Sequence, residues 1–179
     1  MTTIYPNQID KEEEHLYNLR IKVHESVETE RTLVNLLIKK EFPEDLNFIE
    51  NVVRLQTNEN KLGEKYPLLD SDFFEFIMNH QDKIIEITNY INKETKLYDI
   101  SLFGFETMKN KYLLRTHSNY KESIHHFFCR VALFIWKDID NWTKFENLYK
   151  NLLEGKVTHA TPTLFNAGTL RPQLASCFL

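Results

Sequence analysis

Hydrophobic residues recur at helical spacing through much of this chain. Residues 10 to 40 are rich in Glu, Lys and Leu, and Leu33, Leu36 and Leu37 repeat at that spacing before Pro43 interrupts the pattern. This segment predicts one or two polar helices. The charged run Lys11 to Glu14 is typical of a solvated helix start, because acidic residues are favoured in a first turn.

Three amphipathic helices are predicted between residues 70 and 155. The first can be capped by Asp70 or Ser71 and runs for about five or six turns. The second follows Lys121, and the third ends at Gly155, where a glycine suits the C′ position. Their apolar stripes are Phe74, Ile77, Ile84, Ile87 and Ile91 in the first helix, Ile124, Phe128, Val131 and Ile135 in the second, and Trp142, Phe145, Tyr149 and Leu152 in the third.

Turn-forming residues separate these helices and dominate the end of the chain. Gln56 to Pro67 has the Asn, Gly and Pro content of a loop and is the best linker candidate, while Leu102 to Arg115 predicts a Gly turn with a short helix or hairpin. Val157 to Leu179 has few charged helix formers and predicts a strand, a turn and a second strand. Its last part, Leu174 to Leu179, is nearly all apolar. Because a strand with two unpaired edges is normally covered by more chain, we expect the protein to be cut short here.

Composition and charge exclude several classes of protein. The chain has 22 Lys and Arg against 26 Asp and Glu, a net charge of -4, and 42% hydrophobic residues, which indicates a soluble folded protein. No basic stripe is present, so nucleic acid is not an expected partner. The longest apolar run, Val131 to Trp136, is far shorter than the roughly 20 residues of a membrane span. The start MTTIYPNQID lacks the features of a signal peptide, so we expect a cytoplasmic protein.

Cysteines and histidines offer few candidates for chemistry. Cys129 and Cys177 lack CxxC spacing, which excludes a disulfide framework and a zinc site. His125 and His126 are adjacent on a helix, about 100° apart around its axis, so no metal site is expected. Cys129 lies among apolar residues and predicts core packing. Cys177 follows Ser176 in a hydroxyl-rich segment that could bind a polar ligand, and the residues alone leave its redox role open.

One motif near the end of the chain is specific. It consists of Thr161 to Thr169 (TPTLFNAGT), Arg171 to Leu174 (RPQL) and Ser176 to Leu179 (SCFL). This motif resembles the start of the catalytic barrel in the large subunit of class I ribonucleotide reductases.

Weaker similarity to the same family continues upstream. Phe103 to Thr107 (FGFET), Tyr112 to Leu114 (YLL) and Arg130 to Ala132 (RVA) resemble the helical domain that precedes the barrel, so the resemblance covers the chain from about Pro67 to its end.

The resemblance implies a mainly helical fold that leads into a ten-stranded α/β barrel. Residues 67–156 would form the helical N-terminal domain of the reductase, and residues 157–179 would form the first strands of the barrel. Residues 1–66 form a polar helical region. This region is either a degenerate remnant of the family's ATP-binding regulatory domain or simply the entry to the helical domain.

The function implied is radical reduction of ribonucleoside diphosphates to their 2′-deoxy forms. Cys177 would be redox-active and form a disulfide with a cysteine outside this chain, and Thr161 and Ser176 match positions that line the substrate. No cofactor would be bound directly by this segment. The family uses a radical-generating small subunit, with thioredoxin or glutaredoxin as reductant, and the large subunit can dimerise.

The sequence also departs from the family pattern. The other catalytic residues of the family lie beyond the last residue of this chain, and the usual Glu-Arg-Pro-Gln run is replaced by Glu122 to His125 (ESIH). We therefore expect a piece of a large subunit that is active only together with the C-terminal remainder of the barrel. The alternative is a catalytically dead helical fragment that acts as a protein-binding module.

Overall fold

The computed structural model describes residues 11–42, 46–137 and 141–177. These residues form nine α-helices and one π-helical turn, and they contain isolated β-bridges but no strand. None of the described helices is long and apolar enough to cross a bilayer. The helices are α1 (Lys11–Lys22), α2 (Val27–Glu41), α3 (Phe48–Gln56), α4 (Ser71–Asn79), α5 (Gln81–Glu94), α6 (Leu102–Thr107), α7 (Ile124–Trp136), α8 (Trp142–Leu153) and α9 (Thr161–Asn166), with the π-helical turn at Met108–Tyr112 between α6 and α7.

The helices belong to two compact units. The first consists of residues 1–43 and 99–107, whose described part holds α1, α2 and α6. Leu33 and Phe105 are buried in it. The side chain of Glu30 accepts a hydrogen bond from the backbone N–H of Leu102 at 2.7 Å, which ties α2 to the start of α6.

The second unit comprises residues 44–98 and 108–179 and contains the remaining helices. Its centre is α7, in which every residue from Phe127 to Leu133 is buried, and which packs chiefly on α8. Aromatic side chains supply much of the core, including Phe73, Phe145 and Tyr149, each at most 1% exposed. Burial of such side chains is the main source of stability for a unit of this kind.

Most of the predicted helices are confirmed. Two polar helices, α1 and α2, occupy the region from residue 11 to 41, and α7 and α8 carry the predicted stripes. Asp70 caps α4 by accepting a hydrogen bond from the N–H of Phe73, and Gly155 has φ +66° just after α8. The predicted loop from Gln56 to Pro67 is confirmed from Thr57 onward, since Gln56 is the last residue of α3.

The single helix predicted from Ser71 is wrong, because it is broken at His80 into α4 and α5. The ring Nδ1 of His80 lies 2.8 Å from the carbonyl of Phe76, the acceptor that an unbroken helix would offer to the His80 N–H. That N–H instead donates to Ile77 at 3.1 Å. The predicted stripe is nevertheless buried at Ile77, Ile84, Ile87 and Ile91, while Phe73 rather than Phe74 is its fully buried aromatic residue.

The residues that lead up to Gln56 form a regular helix, α3. Asn47 and Glu50 form a reciprocal capping box at the start of α3, with bonds of 3.0 and 2.9 Å. Between residues 102 and 115 the expected short helix is α6. Gly104 lies inside this helix rather than in a turn.

The strand predicted first in the segment from Val157 is also wrong, because residues 161–166 form the helix α9. Pro162 lies in its first turn, where the fixed φ of proline suits a helix and its missing N–H costs nothing. Beyond α9, Thr169 pairs with Leu69 in an isolated bridge. Barrel strands are therefore not found in residues 157–177.

Some predictions fall outside the described residues or remain untested. Phe178 and Leu179, which would end the predicted apolar strand, lie outside the described residues, as do the first ten residues and Pro43. The predicted division at residues 66 and 156 stays a prediction. The compact units divide the chain differently, since residues 99–107 join the N-terminal unit.

Candidate functional site

Helix α9 and the segment after it hold all three candidate site residues. Thr161 is the first residue of α9, and Ser176 and Cys177 lie at the end of the segment. The segment folds back on the helix. Thr163 donates a hydrogen bond to the carbonyl of Leu174 at 3.3 Å, and the amide of Asn166 donates to the carbonyl of Gln173 at 2.7 Å.

Ser176 and Cys177 are consecutive in the chain, and both lie at the surface. The Ser176 hydroxyl lies 4.0 Å from the Cys177 sulfur, and both residues are exposed. An accessible thiol beside a hydroxyl group can react with a disulfide or a second thiol that approaches from solution. The side chain of Thr161 makes its contact elsewhere.

That contact is with Tyr112, the last residue of the π-helical turn. The phenol oxygen of Tyr112 lies 3.5 Å from the Thr161 hydroxyl, and its ring stacks on Phe165 with the centroids 4.6 Å apart and the planes at 6°. Sequence reasoning gave Tyr112 no role of its own. The pairing joins residues far apart in the chain, and neither residue carries a local signal for it.

A buried ion pair anchors the other end of α9. Arg130 of α7 donates to both carboxylate oxygens of Glu122, through Nε at 2.8 Å and Nη2 at 3.0 Å, and neither side chain is exposed. Its remaining nitrogen, Nη1, donates to the carbonyl of Ala167, directly after α9. The sequence did carry a signal for this arrangement, since a charged residue in the middle of an apolar helix is rarely buried without a partner.

The turn after α9 is closely packed. Gly168 has φ +75°, and a Cβ there would lie 2.4 Å from Cε1 of Phe73. Its carbonyl accepts a hydrogen bond from the N–H of Asp70 at 3.0 Å. Only glycine fits both the backbone conformation and the space.

Cys129 is a core residue, as predicted. It is fully buried in α7, and burial, together with the negative charge of Glu122, raises the pKa of its thiol well above the ordinary range. A thiol of this kind stays protonated and is a poor nucleophile. Cys177 is therefore the better candidate for thiol chemistry.

Burial affects histidines at two places in the second unit. His125 and His126 are half-buried in α7, and burial lowers the pKa of His125, which favours its neutral form. Burial also lowers the pKa of His159, two residues before Thr161. Among the described residues, no group of three His, Cys, Asp or Glu side chains is placed to hold an ion.

A polar cleft of about 410 Å³ lies elsewhere in the second unit. It is formed where the loop after α3 meets the turn before α7, and the guanidinium of Arg54 covers the ring of Tyr120 at 4.9 Å. Asn58 fixes this junction by accepting a hydrogen bond from the N–H of His117 at 2.8 Å. None of the three candidate site residues lines the cleft.

Comparison with known proteins assigns the family. Residues 98–172 match the family described as the ribonucleotide reductase all-alpha domain, a range that includes Thr161 but not Ser176 or Cys177. The chain belongs to the ribonucleotide reductase large-subunit family. Within that family its similarity is to the N-terminal domain of the large subunit.

Three relatives illustrate the similarity. The ribonucleoside-diphosphate reductase large subunit of Acanthamoeba polyphaga mimivirus is 35% identical over 133 residues, which are 74% of this chain and 15% of the relative. The large subunit of Dictyostelium discoideum is 38% identical over 114 residues, 63% of this chain and 12% of the relative. That of Arabidopsis thaliana is 39% identical over 121 residues, 67% of this chain and 14% of the relative. The chain thus spans about one seventh of the length of the curated relatives it matches.

Proposed function

We propose that this chain supplies the N-terminal part of a ribonucleoside-diphosphate reductase large subunit, whose overall reaction converts ribonucleoside diphosphates to 2′-deoxyribonucleoside diphosphates. The observation that carries the proposal is the exposed thiol of Cys177 beside Ser176, at the end of a segment held against α9. The names of the relatives support the same reaction.

Cys177 would act in this reaction as one of two thiols that supply electrons. In each turnover two thiols are oxidised to one disulfide, the 2′-hydroxyl leaves as water, and hydrogen takes its place on C2′. Thioredoxin or glutaredoxin would then reduce the disulfide by thiol exchange, which requires an accessible sulfur. Thr161 and Ser176 would line the substrate and offer it hydroxyl groups.

The remaining catalytic groups would come from other parts of the enzyme. Cys129 is buried, and the raised pKa of its thiol makes it unsuited to be the disulfide partner of Cys177, so that partner would belong to the C-terminal remainder of the barrel. A small subunit would generate the radical. Alone, the 179 residues would be inactive. Both cysteines are free, which suits the reducing cytoplasm in which we place the protein.

A chimeric enzyme tests the proposal. The aligned segment of the Dictyostelium large subunit would be replaced by the matching residues of this chain, extended to Leu179, and assayed with the small subunit and thioredoxin. We expect thioredoxin-dependent formation of deoxycytidine diphosphate from cytidine diphosphate. Cys177→Ser should abolish this turnover without changing subunit assembly, whereas the matched control Cys129→Ala should retain it.

Two results would contradict the proposal. Full thioredoxin-dependent turnover by the Cys177→Ser chimera would remove the role of this thiol. An assembled but inactive unsubstituted chimera would instead favour the protein-binding module, in which the helical fold has been kept without its chemistry.

A further inference from the structure

We propose that Tyr112 is a further substrate-binding residue, whose hydroxyl group acts together with that of Thr161 to bind a phosphate oxygen of the ribonucleoside diphosphate. This inference rests on the proposed function, because it takes Thr161 to face the substrate. It adds a residue from a different part of the chain, the π-helical turn at Met108–Tyr112.

The two hydroxyl groups lie farther apart than a close hydrogen-bonded pair. The oxygens of Tyr112 and Thr161 lie 3.5 Å apart, whereas two hydroxyl groups that satisfy each other are typically about 2.7 to 2.8 Å apart. A third oxygen that lies to one side of the pair can be about 2.8 Å from each of the two hydroxyl oxygens. The pair is thus spaced to hold one ligand oxygen.

The chemistry of the two hydroxyl groups suits a phosphate oxygen. Both groups can donate a hydrogen bond, and a phosphate oxygen has lone pairs but no hydrogen, so it can accept from both at once. Hydrogen bonds to a charged acceptor are also stronger than those between neutral groups. A diphosphate therefore suits this pair better than a ligand that must also donate.

Aromatic contacts hold the Tyr112 ring in place. It stacks on Phe165 of α9 and meets Phe127 of α7 edge-on at 6.3 Å, so its position is coupled to the helix that carries Thr161. The contact between Tyr112 and Thr161 is itself exposed, which leaves the two hydroxyls open to a ligand. π-Helical segments are frequent at functional sites.

Tyr112→Phe in the chimeric enzyme is the decisive variant, because it removes the hydroxyl and keeps the ring stack. We expect the KM for cytidine diphosphate to rise about ten- to a hundredfold, the range for loss of one hydrogen bond to a charged acceptor, with kcat within twofold. Thr161→Ala should have a similar effect, and the double variant should fall short of the product of the two because the groups share one oxygen. Tyr90→Phe, on the exposed side of α5, is the matched control and should leave KM unchanged.

A purely structural role predicts a different result. In that case Tyr112→Phe would leave KM unchanged, and only Tyr112→Leu, which also removes the stack, would lower the melting temperature. An unchanged KM for Tyr112→Phe in a chimera that Cys177→Ser inactivates would overturn this inference and leave the proposed function standing. Full turnover by Cys177→Ser would instead overturn the proposed function, and with it this reading of the two hydroxyls.

Discussion

Arg130 and Glu122 form a bidentate ion pair, in which Nε and Nη2 of Arg130 donate to the two carboxylate oxygens at 2.8 and 3.0 Å. Neither side chain is exposed to solvent. We predict that Glu122→Gln lowers the free energy of unfolding by about 3 to 5 kcal/mol, because it leaves the guanidinium of Arg130 buried without a counter-charge. Urea denaturation followed by circular dichroism would measure the loss.

An exposed ion pair provides the control for this prediction. Lys83 Nζ lies 3.1 Å from Glu86 Oε2 on α5, and the two side chains are 45% and 71% exposed. Glu86→Gln should change stability by less than about 1 kcal/mol. Equal losses of unfolding free energy in the Glu122 and Glu86 variants would show that the buried ion pair contributes no more to stability than the exposed one.

Gly168 and Gly63 separate backbone strain from steric crowding. Both have φ +75°, but a Cβ at Gly63 meets nothing within 4 Å, while one at Gly168 would lie 2.4 Å from Cε1 of Phe73. We predict that Gly63→Ala costs about 1 to 2 kcal/mol from strain alone. Gly168→Ala should cost about 1 to 3 kcal/mol more, because the ring must move. Thermal unfolding of the two variants would test this difference, and an equal cost would mean that the core around Phe73 yields freely.

The two cysteines should differ sharply in reactivity. Cys177 is exposed, whereas Cys129 is fully buried with a raised thiol pKa. We predict that a chromogenic disulfide reagent at neutral pH modifies one thiol per folded chain and two in concentrated urea. Cys177→Ser should remove the modification seen in the folded chain. Rapid modification of two thiols in the folded protein would contradict the core position of Cys129.

His125 should make stability depend on pH. Burial lowers its pKa below the ordinary 6.5, so the folded protein binds its proton less readily than the unfolded chain does. The contribution of neutral His125 to the free energy of unfolding is therefore fully present above pH 6.5. It is lost as the pH falls through 6.5 towards the lower pKa of the folded state.

Replacement by a non-titrating residue isolates this effect. His125→Gln should flatten the fall in unfolding free energy between about pH 7 and pH 5. A wild-type profile retained in His125→Gln would assign the pH dependence to other groups, of which His159 is the first to examine because burial also lowers its pKa.

Helical periodicity predicted the parts of the fold that depend on one apolar face. Helices α7 and α8 lie where their stripes predicted them and pack on each other, although burial in α7 extends beyond its stripe to every residue from Phe127 to Leu133. The break at His80 could not be predicted in this way, since it depends on a ring nitrogen that competes for a backbone carbonyl. The six-residue helix α9 is too short to show a helical period, and Pro162 was its one local signal.

The motif supplied candidate side chains for the site but not their arrangement. The motif singled out Thr161, Ser176 and Cys177, and the structure places Ser176 and Cys177, which are consecutive in the chain, at the surface. Their roles stay predictions. The role of Tyr112 depends on a contact between distant segments, which no local pattern encodes. A sequence supplies candidate side chains, while their distances come from packing.

The hydrogen bond from the Asp70 N–H to the Gly168 carbonyl has a consequence for synthesis on the ribosome. Phe73 packs against Gly168, so the core beside the start of α4 stays incomplete until residue 168 has left the exit tunnel. Contacts between segments this distant form late, because the intervening chain must be ordered first. The part of the Phe73 ring that meets Gly168 therefore stays uncovered in the nascent chain until the turn after α9 arrives, while Phe134 of α7 can already pack edge-on against the ring.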